Sequence, residues 1–483
     1  MSPIFSSPVM SYDPTRLLAT ETLSHVFVLS ILTPEISGDI RDLPLTISWV
    51  CRRWRHTALN TPMLWTNIIV GGPYLSSASI YRTQTWLSRS HNRTLRIYMD
   101  LRDPDWDWNE ATHTFNGDDM NQMLSLLVPH ISRWESVDVL SDTWVPIHNL
   151  LLYTRSLAAP SLRQIALSRC NAYLASRGQQ FIPEDFKTPI ALLTGGTPQL
   201  RYISLSGVHV DWPRFPHENL VGLQLKYHAQ NVMPTMTELT CLLNACDKLE
   251  CLSIMGWGVR SVTTSMGFAR GVNANPSRVD LHRNRGEIIR LPRLRKLEFG
   301  WLDASYAYTL FSLLSLPNLV ALTLENISAS LDFDVPQDDS PILMSIGPAS
   351  SESCTSRKGE ILFGNLQELG LHFVRTTGGK VLYERALSTC HSITRLDVHS
   401  PETDLLQVLT MRHTPYYPSD KGAQNDSRLP TQRMYCQKLT SITFSEVDSS
   451  CINQIYEFRS RVEFPVSVHI VCDDTSEGTG DTS

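Results

Sequence analysis

The chain has 483 residues, of which 42% are hydrophobic, and its 42 basic and 48 acidic residues give a formal net charge of −6. This length exceeds that of one ordinary domain and allows a large core. The near balance of charge argues against a basic nucleic-acid-binding protein and against an acidic, disordered one. Neither of these two classes is therefore expected.

No targeting or membrane segment is recognisable in the sequence. The stretch from Met1 to Pro14 lacks a basic start followed by an apolar run, so it does not read as a signal peptide, and residues 1–11 are predicted to be disordered. No stretch approaches the roughly 18 apolar residues that span a bilayer. We expect a soluble protein of the cytoplasm or nucleus without a membrane partner.

The sequence offers no pattern that indicates a metal, a cofactor or catalysis. Ten cysteines are present without a C-x-x-C pair, and Cys241, Cys246 and Cys251 are interpreted as buried thiols. Phosphate-binding loops, H-E-x-x-H and G-x-S-x-G are missing. We therefore predict no catalytic residues, no metal site and no cofactor, and expect that the chain is not an enzyme.

The first informative segment predicts three short helices. Leu23, Val26, Phe27 and Ile31 have the spacing of one buried helical stripe, and residues 33–41 are predicted to form a loop. A second helix is predicted to begin near Asp42 and Pro44.

The second predicted helix buries the stripe Ile47, Val50, Cys51, Trp54 and Ala58. The pair Thr61-Pro62 then predicts a short helical turn that carries Leu64 and Trp65. Three short helices form a small core, which gains stability when it docks on a partner.

These helices carry a family resemblance. The segment LATETLSHVF at 18–27 resembles the L-P-x-E-[IL]-L-x-x-[IV]-F opening of an F-box, with Ala19 where the family usually has proline. The segments VCRRWR at 50–55 and TPMLW at 61–65 resemble its V-C-[RK]-x-W-[RK] and T-P-x-L-W continuation. The matching residues are Leu18, Glu21, Leu23, Val26, Phe27, Val50, Cys51, Trp54, Leu64 and Trp65. The alternative is an unrelated set of three amphipathic helices with an aromatic core.

The resemblance implies that residues 12–70 form an F-box domain that binds a Skp adaptor and, through it, a cullin. Such a chain recognises a protein substrate for ubiquitination, while other subunits perform the catalysis.

A frame of the form L-x-x-L-x-L recurs along the rest of the chain. It begins at Trp134, Leu162, Leu200, Leu220, Leu249, Leu294, Leu319, Leu366, Ile393 and Leu439. Proline stands two residues before four of these frames, and several follow an apolar run. The pattern predicts a helix, a stop and a short strand with its leucines pointing inward, and stacked units would share one core.

The predicted fold class is therefore α/β: a three-helix F-box module followed by an irregular leucine-rich-repeat-like solenoid at residues 131–472. Residues 71–130 are predicted to connect the two parts, and the acidic tail at 473–483 is predicted to be disordered. Polar insertions at 260–290, 332–360 and 411–433 are predicted to be mobile loops. An unrelated α/β domain with a parallel sheet shares much of this patterning and stays open as an alternative.

The residues between the inward leucines are predicted to line the opposite face of the sheet. They are mixed in charge, which suits a protein partner better than a nucleic acid. The predicted substrate-binding residues are Tyr202, Lys226, Met255, Glu298, Glu325 and His372. The alternatives are a solvated face without a ligand, or binding by the insertions.

Three functions remain open from the sequence alone. The first is the substrate-recognition subunit of a Skp–cullin–F-box ubiquitin ligase. The second is an F-box scaffold that acts on the adaptor outside the ligase. The third is an enzyme with a degenerate α/β fold.

Overall fold

A computed structural model describes residues 14–32, 42–72, 74–170, 180–260, 288–330, 337–346, 365–413, 433–461 and 465–471. All structural statements below concern these residues. Those at 1–11, 33–41 and 473–483, for which disorder or a loop is predicted, lie outside the described part of the chain, as do most residues of the insertions at 260–290 and 411–433.

The described residues form a mixed α/β structure. Its helices are α1 (Thr20–Leu32), α2 (Leu43–Val50), α3 (Arg52–Leu59), α4 (Ser77–Arg89), α5 (Gly117–Leu127), α6 (Trp144–Thr154), α7 (Met236–Ala245), α8 (Ala304–Leu313), α9 (Ile327–Ser330), α10 (Ser340–Ile346), α11 (Gly379–Thr389), α12 (Thr403–Leu409) and α13 (Ser449–Arg461). Short 3-10 helices lie at Pro14–Leu17, Pro62–Trp65, Val128–Arg133, Glu184–Phe186, Trp212–Arg214 and Gln230–Val232.

The strands that build the main sheet are β1 (Asn67–Gly71), β2 (Leu95–Asp100), β3 (Trp134–Ser141), β4 (Gln164–Arg169), β5 (Tyr202–Ser206), β6 (Gly222–His228), β7 (Cys251–Gly256), β9 (Lys296–Trp301), β11 (Ala321–Asn326), β12 (Glu368–His372), β13 (Arg395–His399), β16 (Ser441–Ser445) and β17 (Ser467–Val471). Four two-residue strands pair outside it: β8 (Ile289–Arg290) with β10 (Leu314–Ser315), and β14 (Arg412–His413) with β15 (Arg433–Met434).

The strand order of the main sheet follows the chain from β1 to β17 without reversal, and every neighbouring pair is parallel. A doubly wound sheet instead reverses its order at a switch point. Each long strand here pairs only with its predecessor and its successor in the chain.

The predicted inward residues form the core, because the frames align in register across the sheet. Ile165 lies opposite Ile203, which lies opposite Leu223, and the row continues through Leu252 and Leu297. All five are at most 4% exposed. Helices α5 and α6, like α10, α11 and α12, pack against their neighbours in turn. The predicted alternation of helix and strand is therefore confirmed for these units.

The sheet begins earlier than the sequence predicts. Strands β1 and β2 lie in residues assigned to the helical module and to the connecting segment, yet they pair in register with each other and with β3. Their buried residues Ile68, Val70, Ile97 and Met99 alternate with more exposed ones, but no leucine stands three residues before Ile68 or Ile97. Leu95, which lies opposite Trp134, precedes Ile97 by only two residues.

The insertion at 332–360 also differs from its prediction as a loop. Its described part contains α10, where Ile342, Leu343 and Ile346 are each 1% exposed. Asp339 precedes this helix and accepts hydrogen bonds from Trp301 Nε1 and Asn326 Nδ2, which join it to β9 and β11. Burial of these groups overrides the polar composition of the surrounding sequence.

Several strands have a residue with a positive φ at or next to their carboxyl end, which the sequence pattern does not predict. Counting the first apolar residue of a frame as position one, position eight has a positive φ in six frames: Gly207, Tyr227, Gly256, Phe373, Ser400 and Glu446. Only glycine adopts this conformation freely. The turn that closes these units is thus set by the repeat geometry rather than by residue type.

Candidate protein-docking surfaces

The N-terminal helices enclose a small aromatic core. Leu23 and Phe27 on α1 are 1% and 2% exposed, and the Phe27 ring lies 4.9 Å from the half-buried Trp54 ring of α3. Trp54 Nε1 donates to Thr15 Oγ1 at 3.0 Å. These contacts hold α1 and the residues before it against α3.

The second predicted helix is in fact two helices. The backbone of Cys51 is extended, with φ −158° and ψ 170°, so α2 ends at Val50 and α3 begins at Arg52. Cys51 Sγ accepts a hydrogen bond from Trp54 N at 3.4 Å and caps α3. Because of this break, the predicted stripe does not lie on one side of a single helix. Ile47 and Ala58 are buried, whereas Val50 and Cys51 are exposed.

The predicted burial of Val26, Val50 and Cys51 was therefore wrong. Val26 is 48% exposed because α1 buries only the Leu23, Phe27 and Ile31 side of its stripe.

Several large apolar side chains of this N-terminal region are exposed. Six lie between residues 17 and 50, and they define the N-terminal apolar surface: Leu17 (83% exposed), Leu18 (37%), Val26 (48%), Leu29 (50%), Trp49 (71%) and Val50 (58%). Val26 and Leu29 are three residues apart and share one side of α1. Exposed apolar groups at this density indicate an interaction surface.

The residues of the F-box-like motif therefore separate into two groups. Leu23, Phe27, Trp54, Leu64 and Trp65 belong to the core, and the last two are 1% and 0% exposed. The others lie at the surface: Leu18, Glu21, Val26, Val50 and Cys51. Sequence reasoning missed Leu17, Leu29 and Trp49, whose only signal is that they are apolar residues off the predicted stripes.

Trp65 connects the N-terminal helices to the rest of the molecule. Its Nε1 donates to Ala58 O at 3.0 Å, and its ring meets Trp86 of α4 edge-on at 4.8 Å. The guanidinium of Arg89 lies 4.4 Å from the Trp65 ring centre. Because α4 packs on β1, this contact fixes the helices to the first strand of the sheet.

The second candidate surface is the sheet face opposite the inward leucines, called here the inner face. It contains a groove of about 370 Å³ beside Tyr202, which is 47% exposed. The Tyr202 ring lies over Gly222, where a Cβ would come within 2.7 Å of it. Ser204 Oγ donates to Gln224 Oε1 at 3.1 Å across the groove floor.

Charged residues line the β9 side of the groove. Glu298 lies 2.7 Å from Lys296 Nζ and 3.6 Å from Lys226 Nζ. Burial raises the pKa of Glu298, but the hydrogen bond from Lys296 and the two lysine charges outweigh this effect and lower it. The predicted residues Lys226 and Glu298 thus form one ion-pair cluster, while Met255 lies beside Gly300.

A histidine–carboxylate group lies two strands further on. His372 Nε2 is 3.2 Å from Asp397 Oδ2, His372 Nδ1 is 4.0 Å from Glu325 Oε2, and the His399 ring is 5.0 Å from that of His372. The hydrogen bond with His372 lowers the pKa of Asp397, whereas burial raises the pKa of Glu325. The structure therefore brings the predicted residues Glu325 and His372 together, with Asp397 and His399 as further members.

The described ranges contain no group of three or more His, Cys, Asp or Glu side chains arranged to hold a metal ion. In the same ranges, no helix is both long and apolar enough to cross a membrane.

Comparison with known proteins adds no assignment to these surfaces. The sequence matches no protein-family model, and no curated protein matches it significantly.

Proposed function

We propose that this chain is an F-box protein with a leucine-rich-repeat-like body, the substrate-recognition subunit of a Skp–cullin–F-box ubiquitin ligase. It binds the adaptor through its N-terminal helices and a protein substrate through the inner face. Transfer of ubiquitin belongs to other subunits, and this chain contributes proximity. Such a complex works in the cytoplasm or the nucleus.

The observation that carries the proposal is the N-terminal apolar surface. It lies in the segment whose sequence resembles the F-box, and its six large apolar side chains are between 37% and 83% exposed. A partner that buries them gains roughly 1.5–3 kcal/mol for each side chain fully removed from water. The strand order and the aligned leucine frames support the repeat-like body, since each unit completes the core of the next.

The test is binding to a purified Skp adaptor by the full chain carrying Val26→Glu and Trp49→Asp together. Both side chains are exposed, so the fold should survive while adaptor binding is lost. Val381→Asp on α11 is the matched control, because Val381 is 70% exposed and Trp49 is 71% exposed. Adaptor binding that is unchanged by the double substitution contradicts the proposal.

Recovery of cullin separates the ligase subunit from a scaffold. In the proposed complex, cullin is recovered with the full chain from cells in which the proteasome is blocked. Recovery of the adaptor without cullin would make the chain a scaffold on the adaptor.

A further inference from the structure

A cavity of about 540 Å³ lies at the amino ends of five neighbouring strands, away from the inner face. Its lining comes from the residues just before β7, β9, β11, β12 and β13. Neighbouring strands lie about 4.8 Å apart, so this cavity extends roughly 19 Å along the edge of the sheet. We call it the edge cavity.

Two arginines line the edge cavity just before β9. Arg293 and Arg295 are exposed, and within the described residues neither guanidinium forms an ion pair or a hydrogen bond. By contrast, the exposed Arg395 at the start of β13 pairs with Glu368. The edge cavity is therefore lined by two arginines whose positive charges are not paired with any described residue.

Uncharged hydrogen-bonding side chains complete the lining. Asn365 and Gln367 precede β12, Ser392 precedes β13, and the side chains of these three residues bond to no other described residue. Amide and hydroxyl groups donate hydrogen bonds to oxyanions, and arginine presents a fork of donors that matches a phosphate group. The donor set is thus suited to an anion with several oxygens.

One lining residue opposes this chemistry. Glu250, just before β7, also faces the edge cavity and reduces the charge of the lining from two positive charges to one. The electrostatic attraction to this lining is weaker for a singly charged anion than for the dianion of a phosphomonoester, which also accepts more hydrogen bonds.

We propose that the edge cavity binds the phosphate group of a phosphorylated ligand, with Arg293 and Arg295 as its charged contacts. The cavity is several times longer than a phosphate ion, so the group is carried by a larger molecule that occupies the rest of it. This site does not depend on the proposed ligase function, since it is remote in sequence from the N-terminal helices and can be tested without the adaptor.

The experiment titrates the full chain with inorganic phosphate and with the peptide Gly-Gly-phosphoserine-Gly-Gly, using phosphorus NMR and calorimetry. We expect each of Arg293→Gln and Arg295→Gln to weaken binding of the phosphopeptide about tenfold. Glu250→Gln should tighten it, because it removes the opposing charge. Arg201→Gln is the control, since Arg201 precedes β5 as Arg295 precedes β9, is exposed, and lies outside the cavity.

Tighter binding of the phosphopeptide than of inorganic phosphate supports a phosphate carried on a larger ligand. Equal affinities for the two would support the contact with phosphate. They would contradict the proposal that the rest of the cavity binds the remainder of the ligand. An equal loss in the Arg201→Gln chain, or no loss in the Arg293→Gln and Arg295→Gln chains, overturns the site. Circular dichroism of every variant shows whether a loss of binding reflects a loss of fold.

Discussion

The N-terminal helices and the parallel sheet complete their cores in different ways. In the sheet, each strand covers the leucines of its neighbours, and the frame residues of β4 to β7 are at most 4% exposed. The helices α1 to α3 are 8 to 13 residues long, and four large apolar side chains on them and two just before α1 are between 37% and 83% exposed. Because its units repeat, the sheet buries its apolar residues against its own neighbouring strands. The helices need contact with α4 and, as we propose, with an adaptor to bury all of theirs.

Trp65→Ala is expected to have the largest effect on this comparison. Trp65 is fully buried and joins the helices to α4, so its loss should lower the free energy of unfolding by about 3–5 kcal/mol. Trp49→Ala on the apolar surface should change it by at most about 0.5 kcal/mol. Denaturant unfolding of both variants measures the difference. Similar losses in the two variants would mean that the division into core and docking surface is wrong.

Acid should destabilise the part of the molecule that contains the sheet. Burial lowers the pKa of His209 to about 3 and that of His228 to about 4. Below pH 6.5 these two histidines bind protons in the unfolded chain but stay neutral in the folded chain. The free energy of unfolding therefore falls as the pH drops from 6.5 towards 4.

The expected loss is on the order of 2 kcal/mol for each of these histidines at pH 5. Thermal unfolding between pH 7.5 and 4.5 measures it. A chain with His209→Phe and His228→Phe should show a flatter dependence on pH, and an unchanged slope would count against this origin. His209 already stacks on Trp144 at 4.7 Å, so an aromatic ring fits that position.

Charge reversal on the inner face should separate its function from that of the helices. We expect the combination Lys226→Glu, Glu298→Lys and Glu325→Lys to change the set of captured proteins while adaptor binding stays constant. These groups are partly exposed, so the change in stability should stay below about 1 kcal/mol. Quantitative pulldown compares the variant with the parent. Identical partner sets would move substrate binding away from the inner face.

The smallest expected effect concerns the junction of α2 and α3. Cys51 caps α3 with a sulfur atom, and the hydroxyl of serine is a stronger acceptor at this position. Cys51→Ser should therefore raise stability by about 0.5 kcal/mol, and Cys51→Ala should lower it by a similar amount. Calorimetric melting of the two variants tests the sign. A loss in both would mean that the sulfur packs rather than caps.

The sequence predicted the strands well because one-sided burial leaves a regular spacing of leucines. It missed β1 and β2, because Trp65 stands three residues before Ile68, and Leu95 precedes Ile97 by two residues instead of three. It also predicted burial of Val26 and Val50, because apolar character does not reveal whether the covering surface comes from the same chain or from a partner. The positive φ of Tyr227 and Phe373 has no sequence signal, since the neighbouring turns impose it.

The order of the strands along the chain has a consequence for synthesis. A strand needs only the preceding one to begin pairing, so we expect the sheet to lengthen while later residues are still being translated. The helices α1 to α3 leave the ribosome before the sheet does. The N-terminal apolar surface is then exposed to solvent while the sheet emerges, which gives the proposed adaptor, or a chaperone, time to bind the nascent protein.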